Sequence, residues 1–319
     1  MAVIFQIYNK TRVREYTQQK PFSIEWAVKS VLVTGANGQL GRELRRLAPA
    51  YLQFRFLFTD VEELDITNKG ALAAFVKLHN VHYIVNCAAY TAVDKAEDDE
   101  EACYRINRNG AALLAQVAAE EGARLLHVST DYVFDGEATA PYREDAPVNP
   151  KSVYGKSKLA GEEAVLAHCP DSIIVRTSWL YSSFGNNFVK TMIRLGKERE
   201  QLSVVADQTG CPTYAADLAE VLLLLLTEAE LQNFAPGIYH FSDEGACSWH
   251  DLAVAALRLY GNHETQVLPI TSEEYPAKAP RPRYSVFDKD KIKTTFEIAI
   301  PRWEESLKEC VEELKKEGY

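Results

Sequence analysis

The chain has 319 residues, 47% of them hydrophobic, and its 45 acidic and 35 basic side chains give a formal net charge of −10. This acidic balance argues against a nucleic-acid-binding or anionic-membrane surface, which would need clustered Lys and Arg. The apolar run at 221–226 is too short to span a bilayer, which needs about 20 residues, and predicts a buried turn of helix. Six scattered cysteines without a CxxC pair favour free thiols in a reducing, cytoplasmic compartment over disulfides or a zinc site.

Residues 1–29 are locally basic, and we interpret them as a leader of unknown role. They lack the charged start and the small-residue cleavage site of a secretory signal. An organellar transit peptide, a vector-derived segment and an additional strand stay open as interpretations.

From residue 30 onward, short apolar runs alternate with helical patterns. Runs rich in Val, Ile, Leu and Phe predict buried strands at 31–34, 54–60, 83–87, 124–130 and 172–177. Helical spacing of Ala, Leu, Glu and Lys predicts helices at 39–47, 67–79, 104–121 and 152–168. Thr67 is the expected N-cap of the second helix, and Gly122 the expected stop after the third. This alternation is typical of a parallel, doubly wound α/β sheet.

After about residue 180 the alternation weakens. Shorter strands are predicted at 203–206 and 237–241, and helices at 215–231, 249–260 and 303–316, around a Pro-rich stretch at 276–282. We therefore predict a Rossmann-type dinucleotide-binding domain at 30–180. Residues 181–319 are expected to form a smaller, mixed α/β lobe that mainly binds substrate, with some segments returning to the first domain.

A glycine-rich turn, Gly35 to Gly41, follows the first predicted strand and opens the first helix. Gly35 permits a tight turn, Gly38 lets the backbone approach a pyrophosphate, and Gly41 lets helix and strand pack closely. The helix N-terminus adds free N–H groups and a partial positive charge. The turn therefore predicts a dinucleotide site, against the alternative of a plain Gly-rich turn.

Two side chains bear on the choice of dinucleotide. Asp60 ends the second predicted strand, where its carboxylate would accept hydrogen bonds from the adenosine ribose hydroxyls and repel a 2′-phosphate. Arg42, beside the glycine turn, could instead hold that phosphate. The expected cofactor is therefore NADPH or NADH.

Tyr154 and Lys158 are spaced i, i+4 at the start of a predicted helix, which puts both on one face. A free phenol has a pKa of about 10. We expect the ammonium to lower the pKa of Tyr154, so that the phenol exchanges a proton near neutral pH. Thr130 ends a predicted strand, and strand carboxyl ends are where ligands bind in such sheets. These three residues are the predicted catalytic group.

Four sequence motifs resemble those of the extended short-chain dehydrogenase/reductase family. They are the glycine turn, NCAA at 86–89, STD at 129–131 and the Tyr-x-x-x-Lys pair. Longer strings narrow the resemblance to its dTDP-4-dehydrorhamnose reductases. They are AAYTAVD at 88–94, STDYVF at 129–134, RTSW at 176–179, NNF at 186–188 and RP at 281–282. The resemblance extends from about residue 30 to the C-terminus.

The resemblance implies that NAD(P)H reduces the 4-keto group of dTDP-4-dehydro-L-rhamnose to give dTDP-L-rhamnose. Tyr154 would donate the proton, Lys158 would tune Tyr154 and hold the nicotinamide ribose, and Thr130 would hydrogen-bond the reacting oxygen and adjust the pKa of Tyr154. Asp131 and Trp179 would contact the sugar, with the indole as a flat apolar wall and N–H donor. The implied cofactor-lining residues are Gly35, Gly38, Gln39, Leu40, Gly41, Asp60, Asp65, Ile66, Ala89, Tyr90, Thr91, Tyr154 and Lys158.

Some members of the family bind Mg²⁺ through carboxylates at a dimer interface. Glu43 matches one such position, but Ala216 stands where a Glu would be expected, so no metal is predicted. The expected partner is a dTDP-sugar substrate, with no nucleic acid or membrane, and the expected assembly is a monomer or a homodimer.

Two other interpretations stay open because one fold supports many chemistries. A nucleotide-sugar epimerase or dehydratase would share the Tyr/Lys pair, but Tyr132 follows Thr130-Asp131 where dehydratases carry a Glu. A non-catalytic dinucleotide-binding subunit, similar to the β subunit of methionine adenosyltransferase, is disfavoured by the placement of Thr130 and Trp179.

Overall fold

The computed structural model describes residues 28–319. The predicted leader therefore lies outside the described residues, except for its last two positions. The strands are β1 (Lys29–Thr34), β2 (Phe54–Thr59), β3 (Val81–Asn86), β4 (Arg124–Thr130), β5 (Ile173–Thr177), β6 (Leu180–Tyr181), β7 (Gln201–Val205), β8 (Thr209–Gly210), β9 (Thr213–Tyr214), β10 (Gly237–His240), β11 (Cys247–Ser248) and β12 (Gln266–Ile270). The helices are α1 (Gln39–Leu47), α2 (Lys69–Leu78), α3 (Val93–Ala96), α4 (Glu100–Tyr104), α5 (Ala111–Glu121), α6 (Val153–His168), α7 (Phe188–Glu198), α8 (Ala215–Glu230), α9 (Trp249–Tyr260), α10 (Asp290–Phe296) and α11 (Trp303–Lys316).

Six strands form one parallel sheet in the order β10–β5–β4–β3–β1–β2. The predicted parallel, doubly wound α/β fold is thereby confirmed. β10 lies well past residue 180 along the chain, yet it pairs with β5 over four residues. The carboxyl ends of β1 to β5 meet at one edge of the sheet, where a Rossmann-type fold places its ligands.

The sheet is buried on both faces because alternate residues of each strand point to opposite sides. On one face, Val31 and Val33 of β1 pack with α1 and with the apolar run of α8. On the other face, Leu32 packs with side chains of α2, α5 and α6. The run at 221–226 lies within α8, and all six of its side chains are buried. Each such Leu stabilises the fold by about 1.5–3 kcal/mol.

Two predicted helices differ from the structure at their beginnings. α2 is capped by Asn68, whose Oδ1 accepts a hydrogen bond from the Ala71 N–H at 3.1 Å, so the prediction of Thr67 as N-cap is wrong. Thr67 instead donates its hydroxyl to Asp65. The helix predicted at 104–121 begins earlier, with α4, and passes through a π-helical turn at Arg105–Gly110. Gly122 ends α5 in the left-handed conformation, as predicted.

The chain beyond β5 adds three short two-stranded sheets, β7 with β12, β8 with β11 and β6 with β9. The helices α7, α9 and α11 pack around these small sheets. Their apolar cluster, which includes Leu252, Trp303 and Leu307, is separate from the clusters on the two faces of the main sheet. These elements lie over the carboxyl edge of the main sheet. The space between them and the sheet is a cleft.

Candidate active site

The glycine turn is shaped by close backbone contacts. Gly35 has φ of +66°, and a Cβ there would lie 2.6 Å from the Ala88 backbone nitrogen. A Cβ at Gly41 would lie 2.5 Å from the Cα of Ala36. At Gly38, the N-cap of α1, the nearest atom to a Cβ would be the Gly35 oxygen at 3.3 Å, and no described side chain caps this helix end. An open backbone at a helix N-terminus is a cradle that fits the pyrophosphate of a dinucleotide.

Asp60 follows β2 and lies beside this turn. Its Oδ2 accepts a hydrogen bond from the Asn37 N–H at 2.9 Å, and its Oδ1 accepts one from the Val61 N–H at 2.8 Å. Arg42 is exposed, and its guanidinium lies over the Phe184 ring, 5.5 Å from the centroid. Asp60 lines the cleft between the main sheet and the second lobe, whereas Arg42 does not.

The cleft has a volume of about 1560 Å³ and runs from the glycine turn to the lobe formed by α7 and α9. It gathers all but one of the site residues predicted from the sequence. The gathered residues are Gly35, Gly38, Gln39, Leu40, Gly41, Asp60, Asp65, Ile66, Ala89, Thr91, Thr130, Asp131, Tyr154, Lys158 and Trp179.

Tyr90 is the predicted cofactor residue that does not line the cleft. Its backbone N–H donates to Asn107 Oδ1 at 2.8 Å, and its carbonyl accepts from Asn107 Nδ2 at 3.1 Å. The Tyr90 ring packs behind the cleft against a cluster that contains Tyr154. The structure therefore gives Tyr90 a supporting position between its lining neighbours.

The Tyr-Lys pair lies at the beginning of α6, which Ser152 caps with its side chain. Tyr154 is 9% exposed and Lys158 2% exposed. The Lys158 Nζ donates to the Val128 carbonyl of β4 at 2.7 Å. Thr130 ends the same strand two residues later, so the contact between α6 and β4 brings all three predicted catalytic side chains to one wall of the cleft.

The pKa values of this pair are governed by burial. Burial raises the pKa of Tyr154 above its ordinary value, and a hydrogen bond with Thr130 opposes that rise. Burial also lowers the pKa of Lys158 to about 8, against the charge of Glu162. The expectation that Lys158 lowers the pKa of Tyr154 is not met in this structure, because loss of hydration sets the direction of the shift and the Lys158 ammonium donates to the Val128 carbonyl. The phenol is held protonated, the form that a proton donor requires.

Asp131 follows Thr130 and is 2% exposed. Its Oδ1 accepts the Thr130 hydroxyl at 2.9 Å, and a hydrogen bond with Ser285 also reaches the carboxylate. Burial raises the pKa of Asp131 to about 6. The hydrogen bonds with Ser285 and Thr130 oppose this rise.

A buried ion pair lies behind the catalytic residues. Glu162, one helical turn after Lys158, accepts hydrogen bonds from Arg176 Nη2 at 2.7 Å and Nε at 2.9 Å, and another from the Ser129 hydroxyl. Both charged side chains are 2% exposed. The pair joins α6 to β4 and β5 at the level of the active site.

Trp179 lines the cleft just after β5, but it does not form the flat wall expected from the sequence. One face of its indole stacks on Trp249, with centroids 3.6 Å apart and planes 9° from parallel. A Cβ on Gly210 would lie 2.5 to 2.8 Å from Cε2, Cζ2 and Nε1 of the Trp179 ring, which places the glycine over the other face. Both faces are covered, so only the ring edge reaches the cleft.

Three further residues line the cleft, although no motif or spacing in the sequence marks them: Trp249, Gln208 and Met192. They come from α9, from the turn before β8 and from α7, elements that only the folded chain brings together. Their residue types gave no signal because Trp and Met are ordinary core residues and Gln is an ordinary surface residue.

Arg281 also lines the cleft, and it ties the loop at 276–282 to the other side. Its guanidinium donates to both carboxylate oxygens of Asp94, at 2.9 and 2.7 Å, and the Ala279 N–H donates to the same carboxylate at 3.0 Å. This hydrogen bonding lowers the pKa of Asp94 to about 2. In the sequence, Arg281 was marked only as part of a two-residue string.

Glu43, the position related to metal binding in some relatives, is fully buried. Its carboxylate accepts hydrogen bonds from the Ser182 hydroxyl at 2.6 Å and from Arg46 Nε at 2.8 Å. Within residues 28–319 no group of three or more His, Cys, Asp or Glu is arranged to hold a metal ion. In the same part of the chain, no helix combines the length and the apolar character needed to cross a membrane.

The chain is similar to known proteins over most of its length. A dTDP-4-dehydrorhamnose reductase from Aggregatibacter actinomycetemcomitans is 43% identical over 285 residues, which are 87% of this chain and 97% of the relative. The crystal structure of a dTDP-4-dehydrorhamnose reductase from Clostridium acetobutylicum has 46% identity and a TM-score of 0.85, covering 90% of this chain and 99% of that one. The Bacillus anthracis reductase, solved with NADP, has 43% identity and a TM-score of 0.83, covering 89% and 99%. The resemblance stated from the sequence is confirmed, and because a family model described as the RmlD substrate binding domain matches residues 29–316, the chain belongs to that family.

Proposed function

We propose that this protein reduces the 4-keto group of dTDP-4-dehydro-L-rhamnose with NADPH or NADH, giving dTDP-L-rhamnose. The observation that carries the proposal is the single cleft, which holds the glycine cradle at one end, the group Thr130, Tyr154 and Lys158 at its wall, and Trp179 beyond them. Relatives named as reductases of this sugar nucleotide support the substrate, and the relative solved with NADP supports the cofactor.

The cradle at Gly35–Gly41 would hold the pyrophosphate, and the Asp60 carboxylate would face the adenosine ribose. When bound, the reduced nicotinamide supplies the hydride. Lys158, a buried cation next to β4, would orient the nicotinamide ribose by hydrogen bonds.

On the substrate side, the Tyr154 phenol would donate to the keto oxygen, and the Thr130 hydroxyl would turn from Asp131 to donate to it as well. As the carbonyl carbon gains the hydride, its oxygen gains negative charge, and the Tyr154 O–H bond breaks to place a proton on that oxygen. The tyrosinate that remains would accept a hydrogen bond from the new hydroxyl of the product. Burial raises the pKa of the phenol and so keeps its proton in place until the alkoxide, a stronger base, forms.

The test is to mix the purified chain, NADPH and the dTDP-linked 4-keto sugar, and to follow absorbance at the wavelength of the reduced nicotinamide. One mole of NADPH consumed per mole of dTDP-L-rhamnose formed supports the proposal. Binding of both ligands without consumption would contradict it. UDP-linked 4-keto sugars serve as the comparison for nucleotide specificity.

A dehydratase or epimerase is the second candidate function, and it would consume no net NADPH. Dehydratases need a carboxylate after the Thr-Asp pair. Here Tyr132 occupies that position, and its ring packs edge-on against Tyr154, with centroids 5.5 Å apart. This contact disfavours a water-eliminating acid at the position.

A non-catalytic dinucleotide-binding subunit is the third candidate. It would require no proton donor, yet Tyr154 and Thr130 line the cleft together. The NADPH assay separates the two interpretations, because a subunit would bind the dinucleotide without turnover. For the location in the cell, we propose the cytoplasm, where the six unpaired cysteines would stay reduced.

A further inference from the structure

We propose that Trp249 and Gly210 clamp the Trp179 indole edge-on in the cleft and thereby set the affinity for the sugar ring. They would act as positioning residues, since they reach the substrate through Trp179. The inference rests on the proposed function, in which Trp179 contacts the sugar. It extends that function to residues that no sequence motif marks.

The Trp179 backbone is the first observation. Its φ is +49°, in the left-handed region, which is rare for a bulky aromatic residue and persists only where the surroundings impose it. The Thr213 N–H donates to the Trp179 carbonyl at 3.2 Å, through the pairing of the segments around β6 and β9. The conformation turns the indole out of the line of β5 and toward the cleft.

The covering of both ring faces is the second observation. The Trp249 ring lies against one face, and the Gly210 backbone lies so close to the other that even a methyl group would not fit. An indole held this way has no freedom to rotate about its side-chain bonds. The edge of an aromatic ring carries partial positive charge, so a fixed edge is suited to the oxygen atoms of a sugar.

The third observation is that the clamp is itself anchored. The Trp249 indole N–H donates to Gln208 Oε1 at 3.1 Å, and Gln208 Nε2 donates to the Ser272 hydroxyl at 3.0 Å. The Ser272 hydroxyl in turn donates to Asp207 Oδ1 at 2.6 Å. This chain of hydrogen bonds fixes the orientation of Trp249 from the edge of its ring.

The experiment compares Trp249→Ala, Gly210→Ala and Gln208→Leu with the unmodified chain. We expect the KM for the dTDP-keto sugar to rise about 10-fold in the first two and about 3-fold in the third, on the order of one lost favourable contact. The KM for NADPH, and the Kd for dTDP without a sugar, should stay within 2-fold. Trp249→Phe, which retains an aromatic ring for stacking, should restore the KM to within 3-fold of the unmodified value.

Gly196→Ala is the matched control, because its Cβ would lie 2.5 Å from Leu257 in the same lobe without touching Trp179. It should lower stability but leave the ratio of the two KM values unchanged. A sugar KM within 2-fold of the unmodified value in both Trp249→Ala and Gly210→Ala would overturn the inference. An equal loss of sugar, dTDP and NADPH binding would overturn it as well, since that pattern indicates a general disturbance of the fold.

The two proposals fail in different ways. If the unmodified chain reduces the keto sugar while the clamp variants bind it normally, the clamp is wrong and the function stands. If the unmodified chain shows no turnover, the proposed function is wrong, and the inference falls with it.

Discussion

Replacing Lys158 by Met should make the protein more stable at neutral pH while removing most of its activity. The ammonium is 2% exposed, and burial lowers its pKa from the ordinary 10.5 to about 8. A group whose pKa is lowered on folding costs stability at every pH where the unfolded chain is protonated. Methionine has a similar length and carries no charge, so it removes this cost.

The size of the effect follows from the two pKa values. At pH 7 the difference between 10.5 and about 8 corresponds to about 3 kcal/mol of lost stability. The Val128 carbonyl loses its hydrogen bond in the variant, and this loss lowers the stability of the variant by about 1 kcal/mol. The net gain should therefore be about 2 kcal/mol at pH 7.

The stability gained by Lys158→Met should also become smaller as the pH rises. Between pH 8 and 10.5 the unfolded chain binds more protons at Lys158 than the folded one, so the stability of the unmodified protein rises with pH. By pH 9.5 the remaining cost is about 1 kcal/mol, and the advantage of the variant should nearly vanish.

Urea unfolding at pH 7 and at pH 9.5 checks this expectation, with Lys156→Met as the control. Lys156 lies two residues earlier on α6 and is exposed, so its variant should differ from the unmodified chain by less than about 0.5 kcal/mol at both pH values. A Lys158→Met protein that is less stable at pH 7, or whose gain is the same at both pH values, would refute the reasoning. In the activity assay, Lys158→Met should weaken NADPH binding and lower kcat together.

Three other predictions follow from the site. Tyr154→Phe should retain NADPH affinity and lose about 10²- to 10⁴-fold in kcat, since only the proton donor is removed; near-full activity would exclude Tyr154 as the acid. Asp60→Ala should change the ratio of kcat/KM for NADH and NADPH, and an unaltered ratio would show that this carboxylate does not contact the ribose. Glu162→Gln should lower the free energy of unfolding by about 3–5 kcal/mol because Arg176 stays buried without its partner. The exposed neighbour variant Glu163→Gln should change it by less than about 0.5 kcal/mol, and equal effects of the two variants in urea unfolding would contradict the buried pair.

Local patterns were enough to predict the part of the site that lies in consecutive segments. The glycine turn and α1 were predictable because tight backbone contacts demand glycine and because apolar residues recur at helical spacing. The pair Tyr154 and Lys158 needed only the i, i+4 rule to be placed on one face. Asn68 in place of Thr67 as the cap of α2 is an error of one residue between two side chains that both favour this position.

The surroundings of Trp179 were not predictable, because they depend on contacts between distant residues. Gly210 lies 31 positions further along the chain and Trp249 lies 70, and neither belongs to a recognisable motif. The expected direction of the pKa shift at Tyr154 was not met for a related reason. Spacing indicates which charge is near a phenol, whereas the loss of water around it depends on the whole lobe that closes over the sheet.

The arrangement of charges behind the cleft explains why Lys158 is suited to a bound ligand. Glu162 is the negative charge that acts most strongly on Lys158, but its oxygens are already bound to Arg176 and to Ser129. Within the described chain, the hydrogen bond recorded for the Lys158 ammonium goes to a neutral carbonyl. An ammonium has three donors, and Lys158 lines the cleft, where a ligand would meet those not bound to Val128. A ligand with hydroxyl oxygens at that point would satisfy them and relieve part of the burial cost, and on this reasoning a dinucleotide should raise the pKa of Lys158 as it binds.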